Sequence, residues 1–221
     1  METRRSFLKK GGLVAMAAAG LSGEDKAEAV GPHKKWAMII DLNRCTGCQS
    51  CVIACKGRNR TAPGEFNIRI LFKEEGHYPD SRVIFTPVQC NQCEDPPCVA
   101  ACPAGAIFKL ACGIVVTDWD KCQGLGNCVV TCPYNARFQD SRYGNKVDKC
   151  DFCLAKLEKG LEPACVEACP SRARLFGDIN APSGEFAEYL KVAQLIVRKP
   201  ELNTRPRVTY VGSGHGNGGV L

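Results

Sequence analysis

Cys45-Thr46-Gly47-Cys48-Gln49-Ser50-Cys51-Val52-Ile53-Ala54-Cys55 decides the fold. Its C-x2-C-x2-C spacing puts three thiolates on one curled loop, and a fourth follows one helical turn later. Such a loop wraps a single iron-sulfur cube, whereas the cysteine after the turn points to a different cube. The pattern returns three times. The second run is Cys90-x2-Cys93-x4-Cys98-x3-Cys102-Pro103, the third holds Cys122, Cys128 and Cys132-Pro133, and the fourth is Cys150-x2-Cys153-x11-Cys165-x3-Cys169-Pro170. Each run closes on one small unit, CVIAC, CVAAC, CVVTC or CVEAC, and this internal repeat absorbs all the cysteines but one. Proline after the closing cysteine stops a short helix.

The rest of the composition narrows the classes. The chain has 221 residues, 45% hydrophobic, 24% charged and only 7% aromatic, with 16 cysteines and a net charge of +6. That length supports one or two compact domains. The positive excess is spread along the chain rather than gathered in a stripe, which excludes a nucleic-acid reading. No apolar run reaches the roughly 18 residues of a membrane span. Zinc ribbons lack a third cysteine in the loop and the Cys-Pro ending. A disulfide framework would not favour neighbouring cysteines competing within one loop. Haem attachment needs C-x-x-C-H, and no histidine follows any pair; His33, His77 and His215 read as surface or structural residues.

The N-terminus reads as an export signal. Thr3-Arg4-Arg5-Ser6-Phe7-Leu8-Lys9 precedes a weakly apolar segment, Gly11 to Gly20, and a small-x-small site at Ala27-Glu28-Ala29. The adjacent arginines resemble the twin-arginine signal for cargo that is exported folded. Residues 1–29 are therefore set apart from the fold. Thiolates already bound to metal inside a folded domain would also escape oxidation in the receiving compartment.

Outside the cysteines, Trp36 to Ile40, Val83 to Phe85, Ala106 to Leu110 and Ile114 to Thr117 read as short strands flanking the cysteine runs. Phe186, Tyr189, Leu190, Ala193, Ile196 and Val197 fall at helical spacing before Pro200, and Val208 and Tyr210 mark a last strand. Gly214 to Gly219 fits GxGxxG only by accident, with no helix after it.

The four runs, in this order, resemble the four-cluster ferredoxin-like electron-transfer subunits of bacterial molybdopterin oxidoreductases, the tetrathionate and polysulfide reductase subunits above all. Ala37-Met38-Ile39-Ile40-Asp41, Cys90-Asn91-Gln92-Cys93-Glu94-Asp95-Pro96-Pro97-Cys98, Cys132-Pro133-Tyr134-Asn135-Ala136-Arg137-Phe138 and Pro163-Ala164-Cys165 carry the likeness over residues 36–178. It implies an α+β fold of two nested bacterial-ferredoxin-like modules. Residues 30–80 and 141–180 would form the outer one and 81–140 the inner, followed by a C-terminal helix and docking tail at 181–221. It also implies the ligand sets. Cys45, Cys48 and Cys51 would share a 4Fe-4S cube with Cys169; Cys150, Cys153 and Cys165 would share one with Cys55. Cys90, Cys93 and Cys98 would pair with Cys132, leaving Cys102, Cys122 and Cys128 for the last site.

That last site departs from the pattern. Cys122-Gln123-Gly124-Leu125-Gly126-Asn127-Cys128 has leucine where the middle cysteine belongs. Three thiolates suit a 3Fe-4S cluster, as in nitrate reductase beta subunits, which carry tryptophan there. A cube completed by a non-protein ligand and an empty site are the alternatives. Cys112, the sixteenth cysteine, reads as a spare thiol at a hairpin tip. With three 4Fe-4S clusters and one 3Fe-4S cluster, and no acid, base or nucleophile at an open coordination position, the chain is expected to be a non-catalytic wire. The resemblance places it in the periplasm, between a molybdopterin catalytic subunit and a quinone-reactive integral membrane subunit that anchors it. The alternative is a relay in a transmembrane redox complex with a multihaem cytochrome and no molybdenum enzyme.

Overall fold

The computed structural model describes residues 31–212. Residues 1–29, read from sequence as an export signal, and the glycine-rich end at 213–221 lie outside them. Regular structure is sparse and short. The largest sheet has three strands, β1 (Trp36–Asp41) at its centre, and the others are two-stranded. All but the first position of β1, Trp-Ala-Met-Ile-Ile-Asp, are buried, as expected of a strand covered on both faces.

Helix α1 (Ser50–Asn59) follows the first cysteine loop. The hairpin β2 (Ile68–Glu75) and β3 (Arg82–Gln89) comes next, longer than the Val83 to Phe85 strand expected from sequence. One-turn helix α2 (Pro97–Ala100) leads to the hairpin β4 (Ile107–Lys109) and β5 (Val115–Thr117). Its counterpart α3 (Asn127–Val130) leads to the hairpin β6 (Phe138–Asp140) and β7 (Lys146–Asp148). Then come α4 (Leu154–Leu157), α5 (Ala164–Glu167), β8 (Arg174–Asp178), α6 (Gly184–Val192) and β9 (Val208–Val211). β8 pairs antiparallel with β1, and β9 pairs parallel with its other edge. Strands from the two ends of the described chain therefore lie in one sheet.

The repeat unit dictates its own geometry. In α2, α3 and α5 the helix begins one residue before Cys98, Cys128 and Cys165 and lasts a single turn. The residue before a proline is pushed out of the helical region, so Cys102, Cys132 and Cys169 end each turn. Cys55 is followed by Lys56 instead, and α1 runs on to Asn59. After each Cys-Pro pair the chain makes the same turn. Gly105, Asn135 and Arg172, all left-handed, donate their N–H to the carbonyls of Cys102, Cys132 and Cys169.

The main core mixes aliphatic residues with cysteines: Met38, Ile40, Leu42, Val208 and Tyr210 share it with Cys51, Cys55, Cys150 and Cys165. A second core joins Ala37, Ile39, Leu175 and Phe186. Phe186 lies flat on β8 because Gly177 has no side chain; a Cβ there would stand 2.4 Å from the ring. The apolar face of α6 is thus a packing face. The helix does not reach Val197 as its spacing suggested. It stops at Val192, Ala193 turns extended, and Ile196 forms an antiparallel bridge with Tyr210. Two backbone hydrogen bonds to Tyr210 replace the helical ones that would have continued the turn.

Candidate iron-sulfur centres

All sixteen cysteines are free thiols, so no disulfide competes for them. The loops that carry them are turned by left-handed residues: Gly47 and Gln49 in the first, Gln92 in the second, Gly124 and Gly126 in the third, Phe152 and Cys153 in the fourth. Alternating right- and left-handed backbone turns successive N–H groups inward and forms the concave nests that hold anionic groups and iron-sulfur centres. Gly47 is obligatory for a further reason. The Phe85 ring packs against it, and a Cβ would meet the ring at 2.5 Å.

Cysteines far apart in sequence meet in space. Cys45 and Cys51 both lie within electrostatic reach of Cys169, and Cys48 neighbours Cys45. Cys150 neighbours Cys55, Cys165 and Cys153. Cys90, Cys93, Cys98 and Cys132 line one cavity, with Asn91, Val115, Tyr134 and Arg137 in its wall. Cys102, Cys122 and Cys128 line another, and Leu125 lines it with them. Cys112 lines neither. It is fully buried beside Ile114, with Arg207 donating to its carbonyl. His33 and His77 are exposed; His215 lies outside the described residues.

The chemistry of the donor set is that of a cluster protein rather than a mononuclear site. Zinc needs four ligands converging at about 2.3 Å on one point. Among the described residues, no three histidine, cysteine or acidic side chains gather so tightly. Burial pushes the Cys93 thiol up to about 12, against the hydrogen bond from Thr204, and pushes Cys150 well above its ordinary value. Burial likewise raises Cys51, Cys98 and Cys128. Thiols so disfavoured as bare anions are stabilised as thiolates by a metal, whose binding drives off their protons. Around them lie polar groups with nothing to bond. The Asn91 side chain in the Cys90 cavity has no hydrogen-bond partner, and neither do Nε and Nη1 of Arg174. Arg174 is 3% exposed and lies among Cys165, Cys51 and Cys150. A negatively charged inorganic core would answer both.

Two matches to the 4Fe-4S dicluster domain cover residues 44–106 and 81–179. Over 95% of the chain, it is 40% identical to a tetrathionate reductase subunit of Salmonella typhimurium, covering 88% of that protein. The chain belongs to the iron-sulfur subunits of the molybdopterin oxidoreductase family. The same family likeness extends to the arsenate respiratory reductase iron-sulfur subunit ArrB of a Shewanella species, 33% identical over 80% of this chain and 95% of that one. Protein NrfC of Escherichia coli is 35% identical over 97% of both. As a family member the chain is an electron-transfer subunit that binds iron-sulfur clusters. Among the described residues no helix is long and apolar enough to cross a membrane.

Sequence reasoning missed the buried cations. Arg137 and Arg174 are 5% and 3% exposed, yet charged residues in so short a motif read as surface. Their position five residues after a Cys-Pro cysteine was the signal available.

Proposed function

We propose that this chain relays single electrons along a row of four clusters, between a periplasmic molybdopterin catalytic subunit and a quinone-reactive membrane subunit. Cys45, Cys48, Cys51 and Cys169 hold the first 4Fe-4S cluster, and Cys55, Cys150, Cys153 and Cys165 the second. Cys90, Cys93, Cys98 and Cys132 hold the third. Cys102, Cys122 and Cys128 hold a 3Fe-4S cluster, because Leu125 offers iron no ligand. Bound there, the clusters supply reversible one-electron chemistry at potentials set by cluster type, hydrogen bonds to sulfur and exposure. The protein keeps them dry, spaced and surrounded by fixed donors.

The observation that carries the reading is the cavity lined by Cys90, Cys93, Cys98 and Cys132, where one loop and a distant Cys-Pro turn bring together four thiols, the number a 4Fe-4S cluster takes. Nesting is supported by the pairing of β1 with β8 and β9 around the intervening hairpins. The outer module comprises residues 30–80 and 141–180, the inner one 81–140, and residues 181–221 supply a C-terminal helix and docking tail. Residues 1–29 direct export by the twin-arginine route.

A catalytic molybdenum partner is supported by the likeness to the tetrathionate reductase protein and to ArrB. The NrfC likeness favours a second reading, a relay serving a multihaem cytochrome without molybdenum. Metal analysis of the complex purified through this chain separates them. About 15 iron atoms per chain together with molybdenum supports the first reading; haem without molybdenum replaces it with the second. Zinc, or cystines, in anaerobically prepared protein would overturn both.

A further inference from the structure

The unit that closes each proposed module carries one more shared residue. Cys132-Pro133-Tyr134-Asn135-Ala136-Arg137 and Cys169-Pro170-Ser171-Arg172-Ala173-Arg174 both read Cys-Pro-x-x-Ala-Arg. The remaining Cys-Pro unit, Cys102-Pro103-Ala104-Gly105-Ala106-Ile107, has isoleucine instead. Because the left-handed turn after Cys-Pro is the same in all three, residue five arrives at an equivalent place, the first position of β4 and β8 and the residue just before β6.

Both arginines are buried, and neither is neutralised by a carboxylate. Arg137 donates from Nη2 to Cys98 Sγ at 3.1 Å and from Nη1 to the Thr117 hydroxyl. Arg174 donates from Nη2 to Gln89 Oε1 and to the Met38 sulfur at 3.4 Å, while its Nε and Nη1 bond to nothing. A buried cation left without an anion is costly, so the compensating negative charge has to come from the thiolates around it. Those thiolates belong to two different sets in each case. Arg137 lies within electrostatic reach of Cys98 and Cys90 of one proposed set and of Cys128 of the other. Arg174 lies within electrostatic reach of Cys165 and Cys150 of one proposed set and of Cys51 of the other.

We infer that Arg137 and Arg174 are repeat-related positioning residues, one per module, each holding the two adjacent centres of its own pair at a raised potential. The inference rests on the cluster reading above. One-electron reduction adds one negative charge to a centre, and the electron comes from the neighbouring centre, which is oxidised by one; no proton is needed. A fixed guanidinium within reach of both stabilises whichever holds the electron, so it shifts both potentials in the same direction and leaves their difference nearly unchanged. Acting across about 10 Å at an effective dielectric near 20, a unit charge still changes the one-electron equilibrium by more than about tenfold.

The test is redox titration of the full-length chain, followed by electron paramagnetic resonance, for R137Q, R174Q, R137K and R174K. Iron and sulfide are counted first. Chains that bind no iron in the wild type overturn the cluster reading itself. In loaded protein, R137Q is expected to lower both inner centres by at least tenfold, which is 59 mV for one electron, and to leave the outer pair within twofold. R174Q is expected to do the reverse, and each lysine variant to return its pair to within threefold of wild type. Loaded glutamine variants within twofold of wild type at all centres, or a shift spread evenly over all four, would refute the inference. Should a glutamine variant lose its iron, its lysine variant decides. Full loading near the wild-type potential supports the charge argument, and loss of iron or a tenfold drop with lysine refutes it.

Discussion

Restoring a thiol at Leu125 is the sharpest perturbation of the proposed wire. Leu125 is 58% exposed, so trimming it forfeits less than half of the roughly 1.5–3 kcal/mol gained by burying a whole leucine, about 1 kcal/mol. Against a typical stability of about 5–15 kcal/mol, that cannot unfold the chain. The loop also stays in place. Gly124 is wedged against the backbone of Gly144, where a Cβ would stand 2.7 Å from the carbonyl oxygen, and its own carbonyl accepts from Gln139 Nε2 at 2.7 Å. A cysteine at 125 therefore occupies the wall of the cavity shared by Cys102, Cys122 and Cys128. L125C is expected to raise the iron count from about 15 to about 16 per chain. The signal of an oxidised three-iron centre, present in the wild type and lost on reduction, should vanish. Iron and sulfide analysis with paramagnetic resonance of the oxidised protein reads both. A wild type that already holds 16 irons and is silent when oxidised would refute the reasoning, as would an L125C protein that folds and gains no iron.

Iron removal should abolish cooperative folding, because Cys51, Cys55, Cys150 and Cys165 form part of the main core; circular dichroism during chelation is expected to show loss of secondary structure together with colour. C112A should keep every iron and cost about 1 kcal/mol, the worth of a small buried group; any loss of iron would make Cys112 a ligand. Glu94 joins the second cysteine loop to Lys109 at 2.7 Å and to Arg207 Nε at 2.9 Å, and these partners, Lys109 foremost, hold its carboxyl down at about 2 against the cost of burial. Its folded-state value lies below the unfolded one, so its contribution is complete above pH about 4.5 and fades as pH falls through about 2. E94Q should lose about 1–2 kcal/mol at pH 7. Amide exchange at Glu94 and Asp95, which donate to Arg205 and Thr204, should then be faster than in wild type, with the difference closing in acid.

Much of the proposed site was legible because cysteine spacing states its chemistry directly, and Leu125 stands out only against a repeat that otherwise supplies a thiol. The strand β1 was equally plain as an apolar run between charged neighbours. Of its two partners, Val208 and Tyr210 marked β9, but β8 was not legible. β8 reads Arg-Leu-Phe-Gly-Asp, with a charge at each end and no alternation, and it is made a strand by pairing with Trp36 to Ile40 near the other end of the described chain. β2 was missed because Ile-Arg-Ile-Leu-Phe-Lys-Glu-Glu leaves most of its side chains in solvent, so its hairpin is fixed by cross-strand hydrogen bonds rather than by burial. The end of α6 was misread for a related reason. Ile196 satisfies helical spacing and a β-bridge equally well, and the bridge to Tyr210 is visible only when the last strand is in place.

Burial of the cysteines, on the proposed assignment, also orders the row. Cys55, Cys150, Cys153 and Cys165 are all buried, which suits an interior centre exchanging electrons only with its neighbours. The Cys45 set includes Cys48, the one exposed cysteine. The Cys102 set sits beside half-exposed Leu125 and beside Val130, which is 89% exposed on the helix that carries Cys128. A relay needs its two terminal centres near the surface and its middle ones sheltered, since each hop to a partner protein must cross the boundary while internal hops must exclude water. On that assignment the exposed Cys48 suits the Cys45 set to one end of the row, and exposed Leu125 and Val130 suit the Cys122 loop to the other. On the proposed assignment, a three-iron centre beside Leu125 would differ in potential from the cubes, since potential follows cluster type, hydrogen bonds to sulfur and exposure.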